Sequence, residues 1–205
     1  MTEPGRIAHV PRRAHAVPHR FLSVIILVTS WALLVITACF AAEISGVDVR
    51  QANNELIVST TLQPDEKLIE DLNNGLSKEI VFYIDLFRHW KLWPDEFVIG
   101  QKIVRTLQID PIKREFVGTS VEGNVKIIKR FKDLNSMIAW AINISNIKLT
   151  NVKVLESDDY YVKVTAESRL KPSVIGYIIF FLPSKEFSVV RDSQIFRIHP
   201  PETVR

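Results

Sequence analysis

The pattern of apolar and polar positions divides the chain near residue 42. From Phe21 to Ala42 there are 22 residues without a charged side chain. A helix rising about 1.5 Å per residue carries such a run across the roughly 30 Å hydrocarbon core of a bilayer. Beyond it the runs shorten and begin to alternate. Ile44, Val47 and Val49, then Leu56, Val58 and Thr60, flank Asn53-Asn54, whose side chains tolerate left-handed backbone, and this predicts a hairpin. Gln63-Pro64-Asp65-Glu66 opens a helix, with Leu68, Ile69, Leu72 and Leu76 at helical spacing and Gly75 near its stop.

Ile80 to Leu86 reads as a strand rich in β-branched and aromatic residues, ended by the segment Arg88 to Glu96 with its Pro94. Val98 to Ile109, Glu115 to Val121 and Val125 to Ile128 follow as strands, separated by Asp110-Pro111 and Glu122-Gly123-Asn124, and predict an antiparallel meander. Phe131, Leu134, Met137, Ile138, Ala141 and Ile142 recur at three and four, a second amphipathic helix, with Trp140 off its stripe. Tyr160 to Ser168 alternates. Val174 to Leu182 is nearly all apolar but too short to span a bilayer as a helix, so it is expected as a buried strand, and Ser188 to Ile198 supplies the last one. The fold class expected is mainly β: an antiparallel β-sandwich-like domain with two short amphipathic helices, preceded by one N-terminal transmembrane helix.

Charge sets the orientation. Arg6, Arg12, Arg13 and Arg20 precede the apolar run against Glu3 alone, while Glu43 and Asp48 follow it. The positive-inside rule then places residues 1–20 as a cytoplasmic basic tail, 21–42 as a membrane anchor and 43–205 as an extracytoplasmic domain, giving a single-pass inner-membrane protein facing the periplasm. The whole chain holds 26 basic and 23 acidic residues, and removing the four arginines and one glutamate of the first 42 leaves 22 of each. A neutral domain offers no phosphate-binding surface, so nucleic acid is excluded as an expected partner.

The apolar run has three fates. Its length and the central Trp31 favour an uncleaved anchor. Ile36-Thr37-Ala38-Cys39 resembles a lipobox, which makes Cys39 a possible lipidation site, and Ala38 to Ala42 also offers small residues to signal peptidase. Cys39 is the chain's one cysteine, so no disulfide forms within residues 43–205.

Candidate chemistry concentrates in Asp85-x-x-Arg88-His89-Trp90-Lys91-x-Trp93-Pro94-Asp95-Glu96. His89 with Asp95 or Glu96 has the composition of a general-base pair, and Trp90 and Trp93 that of a stacking surface or partner groove. A contiguous strand-end segment is expected to spread such groups apart, leaving the tryptophans to cover the core edge and the charges to face water. No catalytic residue and no cofactor is assigned. His9, His15 and His19 precede the apolar run and His89 and His199 lie far apart, which gives no metal set, and the chain has no Gly-rich phosphate loop or nucleophile elbow. Lys126 to Lys132, basic with Ile127, Ile128 and Phe131 interleaved, reads as a strand entering a helix rather than a lipid-headgroup surface.

The order Asn74-x-Leu76-x-x-x-Ile80, Trp93-x-Asp95-Glu96, Arg105-Thr106-Leu107-x-x-Asp110, Phe131 before a helix, Tyr160-Tyr161-Val162 and Ser193-x-x-Phe196 resembles the bacterial domain-of-unknown-function 4390 family over residues 44–198. The resemblance implies bacterial origin and an exported or membrane-anchored setting, and it brings no catalytic residues. Family members often carry a tyrosine where Ile109 stands and a tryptophan near Phe187 or Phe196. The function expected is a membrane-anchored periplasmic, non-enzymatic module that binds another envelope protein, a sensor or transport component, with His89, Trp90, Trp93, Asp95 and Glu96 as candidate binding residues. The competing expectation is a periplasmic small-molecule or lipid-binding module, for which a deep apolar pocket would speak.

Overall fold

Strand β1 (Glu43–Ala52) and β2 (Glu55–Gln63) form the predicted hairpin around Asn53 and Asn54, whose φ angles of 52° and 61° are those of a two-residue turn that follows the right-handed twist of its strands. The computed structural model describes residues 41–110, 112–113, 115–170 and 185–199. The expected N-terminal membrane anchor up to residue 40, including Cys39, and the expected strand at 174–182 lie outside the described residues. Among the described residues no helix is long and apolar enough to cross a membrane.

Helix α1 (Glu66–Asn73) starts where the sequence places it. The Asp65 side chain accepts from the Leu68 N–H at 2.9 Å, and the helix stops at Gly75, φ 80°, with Gly75 N–H donating to Leu72 O and Leu76 N–H to Asp71 O. Then β3 (Lys78–Arg88), β4 (Glu96–Asp110), β5 (Glu115–Glu122) and β6 (Val125–Phe131) run as the expected antiparallel meander. Two differences follow. Phe131 belongs to the strand, opposite Phe116, and helix α2 (Leu134–Ile142) begins only after Asp133 caps it by accepting from the Ser136 N–H at 2.7 Å. The expected last strand is broken into β9 (Lys185–Asp192) and β10 (Phe196–Arg197), both along the same side of β8 (Asp159–Leu170).

Strand β7 (Asn143–Asn151) was not foreseen. Its apolar positions Ile144, Ile147 and Leu149 do not alternate, because Asn146 takes φ 58° and the register against β2 shifts there. This bulge inserts a residue and moves the inward set by one, which erases the period of two. With β7 in place the strands form two antiparallel sheets, β1-β2-β7 and β10-β8-β3-β4-β5-β6, the latter with β9 also on β8. Their inner faces meet over Leu56, Val58, Ile80, Phe82, Ile84, Ile103, Val162 and Val164, all essentially inaccessible, and Leu68, Leu72, Met137 and Ala141 of the helices close the core. The coarse expectation of a mainly antiparallel β fold with two helices holds for the described residues.

Charged groups fasten the helices. Lys78, fully buried at the start of β3, donates to Asp71 of α1 and Glu186 of β9, which Lys67 also bridges, and Ser168 adds a bond to Glu186 at 3.1 Å. Burial pushes the Glu186 carboxyl up, but the bonds from Lys78 and Lys67 outweigh it and hold the group below the usual carboxylate range. Arg105, on the inner side of β4, donates to the carbonyls of Trp140 and Asn143 at the end of α2 and lies 4.5 Å from the Trp140 ring. Burial lowers its pKa to about 10, so it stays charged at neutral pH.

Trp140, off the helical stripe in sequence, packs against Phe131 at 5.4 Å and lies over Gly118, where a side chain would overlap its ring. Gly118→Ala is therefore expected to cost about 1–3 kcal/mol in urea unfolding followed by circular dichroism. Gly46→Ala, which meets nothing within 4 Å, is expected to stay within about 0.5 kcal/mol.

Candidate functional site

The site is the neck and loop of the β3–β4 hairpin. Strand β3 is paired along its whole length with β4 on one side and β8 on the other, and a register shift at Leu86/Phe87 twists the pair just before the loop. Arg88 and Glu96 face each other across the neck, so the residues on either side of the loop are brought back together. The expectation that the segment spreads its polar groups apart is therefore corrected for His89 and Asp95: His89 Nδ1 lies 3.1 Å from Asp95 Oδ1.

Asp95 organises the loop. Besides His89, its carboxylate accepts from the Trp90 backbone N–H at 3.0 Å and from the Tyr161 hydroxyl at 3.0 Å, the latter reaching over from β8. The Trp90 N–H bond, aided by Tyr161 and His89, holds the Asp95 carboxyl below its usual range. Burial, with the bond to Asp95, pushes the Tyr161 phenol up to about 12. A carboxylate bound on three sides is suited to fixing the course of a chain.

Arg88 is the second hub. It pairs with Glu156 at 2.5 Å, Asp158 at 3.5 Å and Glu96 at 3.5 Å, and its guanidinium lies 5.3 Å from the Trp90 ring. Glu96 thus faces Arg88, and Asp95 is the acid that reaches His89. Trp93 is left outside both networks at 76% exposure, beside Leu92 at 92%. Phe97, 56% exposed at the start of β4, meets Phe87 edge-on at 5.8 Å, while Phe87 stacks on Tyr161 at 5.5 Å.

Of the residues singled out in the sequence, His89, Trp90 and Asp95 are joined directly, Glu96 joins through Arg88, and Trp93 stands free as an exposed ring. Tyr161, Leu92 and Phe97 were missed. The Tyr161 signal is the register that sets it opposite Phe87, which no local pattern displays. Among the described residues no group of three or more His, Cys, Asp or Glu is arranged to hold a metal ion. Two open grooves lie among the described residues. One of about 540 Å³ runs along Gly100 to Val104, Val121 to Gly123 and Leu149, and one of about 460 Å³ lies over Ser45 to Asp48, Ser59 to Thr61 and Asn143-Ile144. Neither is the deep apolar pocket that a small-molecule or lipid ligand calls for.

Because the depressed Asp95 group is bonded in its ionised form, its hold on the loop is complete above the ordinary carboxylate pKa of about 3.9 and is lost as pH falls through the lower folded value. In a His89→Gln variant, which removes the imidazole beside the loop, the indole NMR signals of Trp90 and Trp93 are expected to show their main movement below about pH 4. Asp95→Asn is expected to shift the Trp90 signal at neutral pH and to bring the Tyr161 titration part of the way back toward 10, the share owed to burial remaining.

No curated protein and no solved structure matches the chain. A family described as Domain of unknown function (DUF4390) matches residues 41–194, the stretch that carries β1 to β9, both helices and the Asp95 loop. With three quarters of its length inside that match, the chain belongs to the DUF4390 family.

Proposed function

We propose that this protein is a membrane-anchored periplasmic module without chemistry of its own, which docks another envelope protein, a sensor or transport component, through the loop between β3 and β4. The observation that carries the reading is the contrast within this loop. Its base is tied down by Asp95 and Arg88, while Leu92 and Trp93 face solvent. Large exposed side chains on an ordered loop lose little conformational freedom on binding, which is how interface anchors work. The His89–Asp95 pair sits on this exposed loop rather than in a cleft, and the Asp95 oxygens are spent on structural bonds, which favours docking over proton transfer.

The apolar run of residues 21–42 supports the location, as an uncleaved single-pass anchor in the inner membrane with the N-terminus in the cytoplasm and residues 43–205 in the periplasm. Confinement to one membrane raises the effective concentration toward a membrane partner, so a small anchor patch suffices.

A photo-crosslinking residue at position 93, activated in intact cell envelopes, is expected to give one reproducible adduct with a membrane protein. Trp93→Ala combined with Leu92→Ser is expected to weaken capture of that protein by about tenfold or more without changing the unfolding transition. Absence of any reproducible adduct, or capture unaffected by the double variant, would sink the reading.

A further inference from the structure

Strand β4 is 15 residues long, and β5 covers only its second half, from Ile103 to Asp110. Over Glu96–Lys102 the strand is paired with β3 on one side, while the other side has no strand partner among the described residues. Beyond the bulge at Val98, alternate N–H and C=O groups of this stretch therefore point out of the sheet. Natural sheets guard such edges with charge, as β6 does by setting Lys126, Lys129 and Arg130 among its exposed Val125, Ile127 and Ile128. Here the edge carries Phe97, Val98 and Ile99, all exposed, with Gly100 next to them. The open groove of about 540 Å³ borders the far end of this stretch, at Gly100 to Lys102, and is lined further by Val104, by Val121 to Gly123 and by Leu149 of β7.

We propose that Glu96–Lys102 is a strand-addition site that receives an extended segment of an envelope protein, apolar at alternate positions and carrying a carboxylate at the Lys102 end. The inference deepens the docking reading and rests on it for the class of partner. An unpaired row of backbone groups is satisfied by another extended backbone, and the alternating pleat sends every second side chain of the guest into the groove.

Charge selects the guest. At one end Glu96 is already matched by Arg88 at 3.5 Å, and Asp85, lying across Gly100, faces Lys163. At the other end Lys102 forms no ion pair among the described residues, its Nζ lying 5.7 Å from the Tyr83 ring. A second copy of this chain fits poorly. The free stretch is bounded by the loop at one end and by β5 at the other, so any two-fold antiparallel pairing drives the β5–β6 turn of one copy against the His89–Asp95 loop of its mate. A segment without neighbouring strands meets no such obstacle.

The test uses the full chain in a lipid nanodisc and an acetylated, amidated peptide, Glu-Val-Thr-Val-Thr-Val-Thr, with hydrogen exchange read residue by residue. The freely exchanging amides among Ile99 to Lys102, beyond the bulge at Val98, are expected to slow by about tenfold at saturating peptide, at every second position, with β6 unchanged. The same peptide with proline in place of its central valine is expected to give no protection, and Lys102→Glu to weaken the peptide by about tenfold. No protection in β4, protection centred on β6, or equal protection by the proline peptide would overturn the proposal. The position-93 crosslink in envelopes is read without this peptide, so loop docking and strand addition fail or succeed separately.

Discussion

Strand β3 must have a partner for each backbone amide and carbonyl, and this requirement shapes the rest of the domain. Ile80, Phe82, Ile84 and Leu86 are completely inaccessible, so no water is at hand to replace a missing hydrogen bond. The solution is pairing on both sides over Lys78–Arg88, by β4 and by β8. Length matching then forces β4 to run to Glu96, beyond the reach of β5, and β8 to run to Asp159. The exposed loop, the bare edge at Phe97 and the approach of Tyr161 to Asp95 are consequences of one buried strand being fully paired.

Apolar burial holds the sheets together, whereas the attached pieces are held by charged groups with several partners each. Lys78 ties α1 and β9 to the start of β3, Arg105 ties the last turn of α2 to β4, and Asp95 ties the loop to itself and to β8. Hydrogen-bonded charge is directional, and losing one partner leaves a costly remainder. It therefore fixes orientation where apolar contact alone leaves freedom. The loop bearing Trp93 inherits this fixity although its tip is in water.

The sequence was informative where a local rule decides the structure. Asn53-Asn54, Asp65, Gly75 and the turn at Gly123 stand at the positions their backbone preferences demand. It was silent where the decision is made at a distance. Strand β7 is hidden by the left-handed Asn146, which breaks its alternation, and Phe131 reads as part of a helical stripe until Phe116 claims it across the ladder. At the site, composition singled out His89, Trp90, Trp93, Asp95 and Glu96, but their grouping depends on the neck of the hairpin. Tyr161 joins only through the register of β8 against β3. Chemistry that lies within one loop was legible, and chemistry assembled across strands was not.

Residue-resolved hydrogen exchange of the protein alone, without any peptide, tests the shared origin of loop and edge most directly. Full pairing of β3 predicts slow exchange throughout Val81 to Phe87 and Ile103 to Ile109, with slow and fast amides alternating from Ile99 to Lys102, beyond the bulge at Val98. Uniformly slow amides from Ile99 to Lys102 would mean that the edge is already covered. Uniformly fast ones would mean that β4 does not extend along β3 to its end, and either result contradicts the account.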